Sequence, residues 1–382
     1  MATVLQEKHV ILQKKVKRFA KEEIASNSEL QTMEGFPMDI WKKMGKEKLL
    51  GISIPESYGG IWDDYLSIVL AIETFVRHGH NMGLALSWII HIIVSRFLFL
   101  GFGNPNQQDK YLKDLAMGNI TAAIAASEPD IGVSPRHMKT SACFEKDLFI
   151  LNGEKSFVSN GPIADLFIVF AISGVDLGKN QITAFIVPAD LTGVSIGKKI
   201  ELKFLRPSLH CGIKLINCSI PENNILGKKG VAFNDMLKPF RELEEVFMLA
   251  SLTGGMGLQI DLLLSLIRKQ EITPTNELRE AIAELQSIIH TMKILSYETA
   301  CLMDESISHP EIIPLILCSQ ILSKNFFSLF KLTMNHSGIT RNTDLNNITN
   351  DIIHSVNLGK GVTEIKKRKL GDIQLSKRVL YE

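Results

Sequence analysis

The stretch 148-LFILNGEKSFVSNGPIADLFIVFA-171 is built of runs rich in aromatic and β-branched residues, interrupted by Asn-Gly, Asn-Gly-Pro and Ala-Asp. That texture is the mark of short strands joined by tight turns. The residues just before it extend the pattern: 145-EKDLFILNGEKSF-157 reads as a hairpin with its turn near Glu145–Asp147. On the far side, "ITAFIVPAD", "GVSIGKKIEL" and "GIKLINCSIP" repeat the same style. Antiparallel strands are therefore expected from about residue 121 to 226.

The chain on either side of this block is different. Residues 1–120 show helical periodicity, broken at 51-GISIPESYGG-60, where Pro and paired Gly mark a loop. Within them, 86-LSWIIHIIVSRFLFLGF-102 is almost wholly apolar, but His91 and Arg96 interrupt it and it is short for a membrane crossing, so a buried core helix is expected. Helices return over 227–382. There Leu278, Ile282, Leu285, Ile289, Met292, Leu295, Thr299 and Leu302 step by three and four, as one buried stripe requires. Asn276 is the expected N-cap of that helix, and Pro310 closes the segment. The order is helical (1–120), all-β (121–226), helical (227–382), with no Ser/Gly linker between the zones.

Composition bounds the function. With 382 residues, 45% hydrophobic and a net charge of +1, the chain can bury a large core but projects no field that would recruit nucleic acid or an anionic membrane. Its one dense basic cluster, Lys366–Lys369, is expected to be a solvated helix face. The five cysteines are scattered and lack a Cys-x-x-Cys pair, so neither a metal site nor a redox motif is expected, and free thiols in a reducing cytoplasm are the simplest account. The N-terminal segment reads as an amphipathic helix without the apolar centre of a signal peptide.

Several local matches in one order resemble the acyl-CoA dehydrogenase family. They are 41-WKKMGKEKLLGISIPESYGG-60, 104-NPNQQDKYLKDLAMGNITAAIAASEPDIG-132, the opening stretch, which resembles LNGxKxWITNG…AD, and 217-NCSIPENNILGKKGVAF-233. The resemblance covers most of residues 1–270 and weakens beyond. It implies an N-terminal helical domain, a middle antiparallel β-barrel or sandwich domain and a C-terminal four-helix bundle, assembled as a homo-oligomer (dimer or tetramer). It also implies FAD as cofactor, an acyl-CoA or acyl-carrier-protein thioester as substrate, and an electron-transfer flavoprotein or similar acceptor. In such a reaction a carboxylate takes the α-proton and the β-hydrogen leaves as hydride to the flavin.

Carried over residue by residue, the resemblance sets Ser127 where the family's Thr-Glu-Pro threonine meets the isoalloxazine edge. Gly132 keeps the following turn, Val133 stands where a serine is usual, Phe157 replaces a tryptophan beside the flavin, and Ser159 replaces a threonine. The C-terminal half departs. Gln270, Thr273 and Pro274 occupy the positions of an Arg-x-x-Phe-Gly whose arginine pairs with the FAD pyrophosphate, with Arg268 on another face of the helix. His336 and Ser337 occupy the glycines of an adenine-side Gln-x-x-Gly-Gly.

The base is displaced as well. In 357-NLGKGVTEIKKR-368 the acid of the family's Glu-Gly-Thr is Lys360, followed by Gly361 and Val362, while Glu364 is expected to face elsewhere in a helix starting near Thr363. Some members take their base from the first C-terminal helix; with Gly254 and Asp261 set on that helix's glycine and aspartate, Glu244 is the candidate base, with Glu245 second. Three functions fit these residues: a flavin-dependent acyl-thioester dehydrogenase, a non-catalytic or half-site subunit of a hetero-oligomer, and a redox-neutral thioester dehydratase without FAD.

Overall fold

A computed structural model describes residues 5–61, 64–339, 342–357 and 360–376. It divides into two compact units, one helical (residues 1–20, 65–82 and 245–382) and one that contains the sheet (21–64 and 83–244).

The sheet unit carries eight strands: β1 (Ala122–Ala125), β2 (Ser141–Glu145), β3 (Leu148–Ser159), β4 (Leu166–Asp176), β5 (Lys179–Pro188), β6 (Val194–Lys199), β7 (His210–Pro221) and β8 (Ile225–Leu226). Their order is β6-β7-β3-β2-β4-β5-β8, with β1 beside β4. The expected hairpin is present: β2 and β3 pair antiparallel from Ser141↔Asn152 to Glu145↔Leu148. Its two-residue turn sets Lys146 (φ 48°) and Asp147 (φ 65°) in left-handed backbone, the geometry that matches strand twist. The ladder is not wholly antiparallel, because β4 pairs parallel with β1 and, at Ser141↔Ile172, with β2. Leu166–Ala171 and Ile182–Val187 are buried without alternation, as strands covered on both faces must be. Phe149, Phe167, Phe185, Val187 and Ile213 form the centre of this core. The same unit holds α2 (Met38–Lys46), the helix Met82–Phe102 (α4) and α5 (Pro105–Met117). As its sequence predicts, α4 is a core helix: Trp88 is fully buried and its indole N–H donates to the Leu49 carbonyl at 3.0 Å.

In the helical unit, α3 (Tyr65–Gly79) is buried along nearly its whole length. Helix α1 (Glu7–Phe19) buries His9, Leu12, Val16 and Phe19, one stripe of its surface. The long α6 (Lys238–Lys269) comes so close to α3 that a Cβ on Gly254 would sit 2.5 Å from the Glu73 carbonyl oxygen. Gly254 is therefore needed for the approach itself. Glu73, almost fully buried, is held by Lys293 at 2.8 Å and by the Tyr297 hydroxyl at 2.5 Å. Burial, and then the Glu73 charge, push the Tyr297 phenol well above its ordinary value. One turn further on, Arg77 makes a two-pronged pair with Asp261 at 2.9 and 3.1 Å.

Helix α7 (Asn276–Glu305) buries Leu278, Leu285, Ile289, Met292 and Thr299 as predicted, while Ile282, Leu295 and Leu302 are half-buried at the margin. Its cap differs from the expectation. Thr275, not Asn276, has the extended cap backbone and accepts from the Leu278 N–H, so Asn276 is already in the first turn. The helix also stops at Glu305, before Pro310. Helices α8 (Ile312–Ser337), α9 (Thr343–Asn357) and α10 (Lys360–Ser376) complete the unit. Among the described residues three helices (Met82–Phe102, Phe233–Lys269 and Ile312–Ser337) are long and apolar enough to cross a membrane; the first two bury 89% and 78% of their most apolar window inside the protein, the third only 33%.

Candidate functional site

The sheet unit gathers the residues that the resemblance sets against a flavin ring. Ser127, half-buried, follows β1, and its carbonyl accepts from the Ser156 N–H on β3 at 2.8 Å. The next residue, Glu128, begins a tight turn closed by reciprocal backbone bonds with Gly132 at 3.0 and 3.1 Å. Gly132 has φ 59°, and only open space lies where a Cβ would be. Val133 is half-buried and supplies no donor side chain. Ser159 ends β3, paired in register with His210 of β7.

Phe157 is the exceptional member. The β3–β7 ladder slips between Lys155 and Val158, and within that bulge Phe157 has φ 52° and is 65% exposed. A bulky residue in left-handed backbone costs about 1–3 kcal/mol and persists only where its surroundings impose it. Here the flanking side chains, Lys155 and Val158, are both fully buried, which leaves the Phe157 ring pointing outward.

The anchor under this surface is an ion pair. Lys155 Nζ, with no exposure, lies 2.9 Å from Glu128 Oε1 and 3.4 Å from the Ala126 carbonyl. Glu128 also accepts from the Lys139 N–H at 2.7 Å and the Thr140 N–H at 2.9 Å. Burial favours the neutral acid, but the bond from Thr140, the Lys155 ammonium and the Lys139 N–H outweigh it and hold the carboxyl below its ordinary value. One pair thus ties β3 to both ends of the 128–140 loop.

Two further features have no signature in the sequence. His210, beside Ser159, is 7% exposed with Nδ1 unpartnered, and burial lowers its imidazole pKa. A cavity of about 690 Å³ opens along the same loop, with Arg136, Lys179, Asn180, Phe233 and Asn234 in its wall. Asn180 Nδ2 donates to the Pro135 carbonyl at 2.9 Å, tying the β4–β5 turn to that loop. No spacing in the sequence links positions so far apart.

The candidate bases are placed differently from one another. Glu244 and Glu245 are both half-buried in α6, and consecutive helical residues face about 100° apart. Glu245 is engaged by Lys366 of α10 in a close ion pair, which commits its carboxylate. Glu364 is exposed and paired with Lys367 at 3.2 Å. Helix α10 starts at Lys360, three residues before the predicted start; the Lys360 side chain lies outside the described residues. Among the described residues no cluster of His, Cys, Asp and Glu could hold a metal ion, and none of the five cysteines is in a disulfide.

The fit to FAD is uneven. On the sheet unit an outward aromatic, two half-buried serines and an open glycine turn suit a flat, neutral ring system. In the helical unit α6 ends at Lys269 and is followed by exposed Gln270 and Thr273, neither able to pair with a diphosphate as a guanidinium would. Ser337 is buried, its hydroxyl donating to the Met334 carbonyl and accepting from the Ile339 N–H, so no bare backbone is presented there. The residues fit the ring and do not fit the ADP half.

Residues 6–119 match the family model of the acyl-CoA dehydrogenase N-terminal domain, and residues 123–212 that of the middle domain, together more than half of the chain. An acyl-CoA dehydrogenase of Bacillus subtilis (strain 168) is 38% identical over 229 residues, 60% of each chain. The mitochondrial isovaleryl-CoA dehydrogenase of Solanum tuberosum is 33% identical over 259 residues, 67% of this chain and 62% of that one. The matched stretch thus spans about three fifths of the length of these relatives. Among solved structures, butyryl-CoA dehydrogenase from Megasphaera elsdenii has a TM-score of 0.84 at 21% identity, covering 98% of this chain and 100% of that one, which shows the fold. A prolyl acyl carrier protein oxidase has a TM-score of 0.83 at 26% identity, covering 97% of this chain and 100% of that one.

Proposed function

Because the chain belongs to the acyl-CoA dehydrogenase family, we propose that it is a flavin-dependent dehydrogenase that desaturates an acyl thioester between its α- and β-carbons. The observation that carries this reading is Phe157, held outward in left-handed backbone next to Ser156, whose N–H bonds the Ser127 carbonyl. When bound, the flavin supplies the acceptor for the β-hydrogen.

The chain's own residues divide the remaining work. Phe157, Ser127 and Ser159 would hold the flavin, the first through its exposed ring and the two serines through their hydroxyls. Glu244 takes the α-proton, from the position that the resemblance gives to a base on the first C-terminal helix. The cavity along the 128–138 loop is roomy enough for the polar arm of a thioester, with Arg136 and Lys179 to meet its phosphate. Coenzyme A relatives and the carrier-protein oxidase both support a thioester substrate.

The assembly is proposed to be a homo-oligomer. Helix α8 leaves most of its apolar surface uncovered by its own chain, with Ile321 at 56% and Leu332 at 53% exposure and Ile294 of α7 at 55%. Ile321→Glu combined with Leu332→Glu is expected to shift the protein to monomer in sedimentation velocity, and an unchanged sedimentation coefficient would count against that interface. Electrons are proposed to leave to an electron-transferring flavoprotein or similar acceptor.

The activity itself is tested by bleaching. Purified protein reconstituted with flavin should lose its 450 nm-region absorbance on adding acyl-CoA or acyl-carrier-protein thioester. Glu244→Gln should slow that bleaching by roughly a hundredfold or more, the scale of a lost general base. Bleaching at an unchanged rate in the variant would remove Glu244 as base. Thioester turnover in protein free of flavin would replace the reading with the redox-neutral one, and failure of any thioester to bleach bound flavin would favour the half-site subunit.

A further inference from the structure

The two halves of a dinucleotide make different demands. An isoalloxazine ring needs a flat apolar wall and a few neutral donors, whereas a diphosphate needs cations or free helix N–H groups. The chain answers the first demand and, at the positions set for the second, opposes it.

The ring wall is electrically neutral. Phe157, Ser127, Ser159 and Gly132 carry no charge; Lys155, the cation nearest Phe157 in sequence, is buried and bound to Glu128, and Arg136, four residues past Gly132, lines the cavity assigned above to the thioester. In the helical unit, the segment after α6 and the end of α8 are the positions that the resemblance sets against the adenosine diphosphate end. The feature that could hold a phosphate there is the N-terminus of the 30-residue α7, and it is already in use. Thr275 accepts from the Leu278 N–H, and Glu277 is held below its ordinary value by its own backbone N–H and then by the Thr275 hydroxyl. A second anion would meet that carboxylate directly. Among the described residues, Arg279 donates to Asn276 Oδ1 at 3.0 Å, and Arg268 and Lys269 stand at the negative, C-terminal end of α6 beside Glu271. Gly338, the one glycine left at the end of α8, is spent as that helix's left-handed cap at φ 68°.

We propose that this chain binds the flavin by its ring alone and gains no affinity from an adenosine diphosphate end, so that FAD, FMN and riboflavin bind equally well. The proposal rests on the flavin reading above and concerns which flavin is held.

Calorimetric titration of the full-length, flavin-stripped protein with FAD, FMN and riboflavin tests it. The three dissociation constants should agree within about threefold, because even one guanidinium–phosphate pair would separate FAD from riboflavin by roughly tenfold to a hundredfold. FAD affinity should also be flat with added salt, since no phosphate charge is being neutralised. Phe157→Ala should weaken all three by the same factor, about tenfold or more for a lost stacking wall. FAD binding at least tenfold tighter than riboflavin overturns the inference while leaving the proposed function standing. Absence of binding by all three flavins overturns both.

Discussion

Replacing Lys155 by methionine is expected to destabilise the sheet unit by about 3–5 kcal/mol, the range for breaking one side of a buried ion pair. Methionine keeps the length and most of the volume of the lysine stem, so packing beside Phe157 and Val158 is little disturbed. What changes is Glu128, 3% exposed at its side chain, which loses its counter-charge and keeps only the Lys139 and Thr140 N–H groups. It must then take up a proton or admit water, and either loosens the loop from Ser127 to Thr140. Denaturation followed by tryptophan fluorescence is the appropriate measurement, because Trp41 and Trp88 are both fully buried within this unit. Lys155→Met combined with Glu128→Gln should recover part of the loss, since a neutral amide can be buried more cheaply than an unpaired charge. A loss under about 1 kcal/mol for Lys155→Met, the scale of an exposed pair, would show that the pair is not the anchor described.

How much of this was legible in the sequence depends on the range of the interaction. The β2–β3 hairpin turn was visible at Glu145–Asp147 because a turn is specified by its own residues, and both turn residues have the left-handed backbone the twist demands. The buried character of α4 was visible because an apolar run around two polar residues has few other places to go. Thr275 and Asn276 are both good caps, and sequence alone could not choose between neighbours whose difference is one backbone dihedral. Phe157 was legible as an aromatic in a strand; its outward strain was not, since it comes from a register slip against β7, more than fifty residues away. The partners of Glu128 and Glu245 were equally hidden. Lys155 is 27 residues from Glu128, and Lys366 is 121 from Glu245, so neither pairing leaves any mark on local periodicity.

His91, a polar interruption of the apolar run in the sequence, is completely buried by the fold. It lies in α4 with its ring edge-on to Trp41, centroids 5.3 Å apart, and neither ring nitrogen makes a well-formed hydrogen bond. Burial drives its pKa down to about 4, with the nearby carbonyls of Leu50 and Leu115 opposing the shift weakly. In the unfolded chain the same imidazole protonates near its ordinary value of 6.5. Between those two values the unfolded state binds the extra proton, so stability falls as pH falls through this window and levels off below it. A shift of this size amounts to about 3 kcal/mol in full. Carboxylates such as Glu128 act lower, as pH falls through their depressed folded values, and the two effects are separable on the pH axis. His91→Leu removes the titration and fills the site with an apolar side chain of similar size, which leaves no orphaned nitrogen, so the variant should be at least as stable at pH 7. Urea midpoints measured by tryptophan fluorescence from pH 7.5 to 4.5 should fall less steeply in His91→Leu than in the parent, the difference accumulating below pH 6.5. Parallel curves would mean that the histidine reaches water or a partner in solution and is not held neutral by the core.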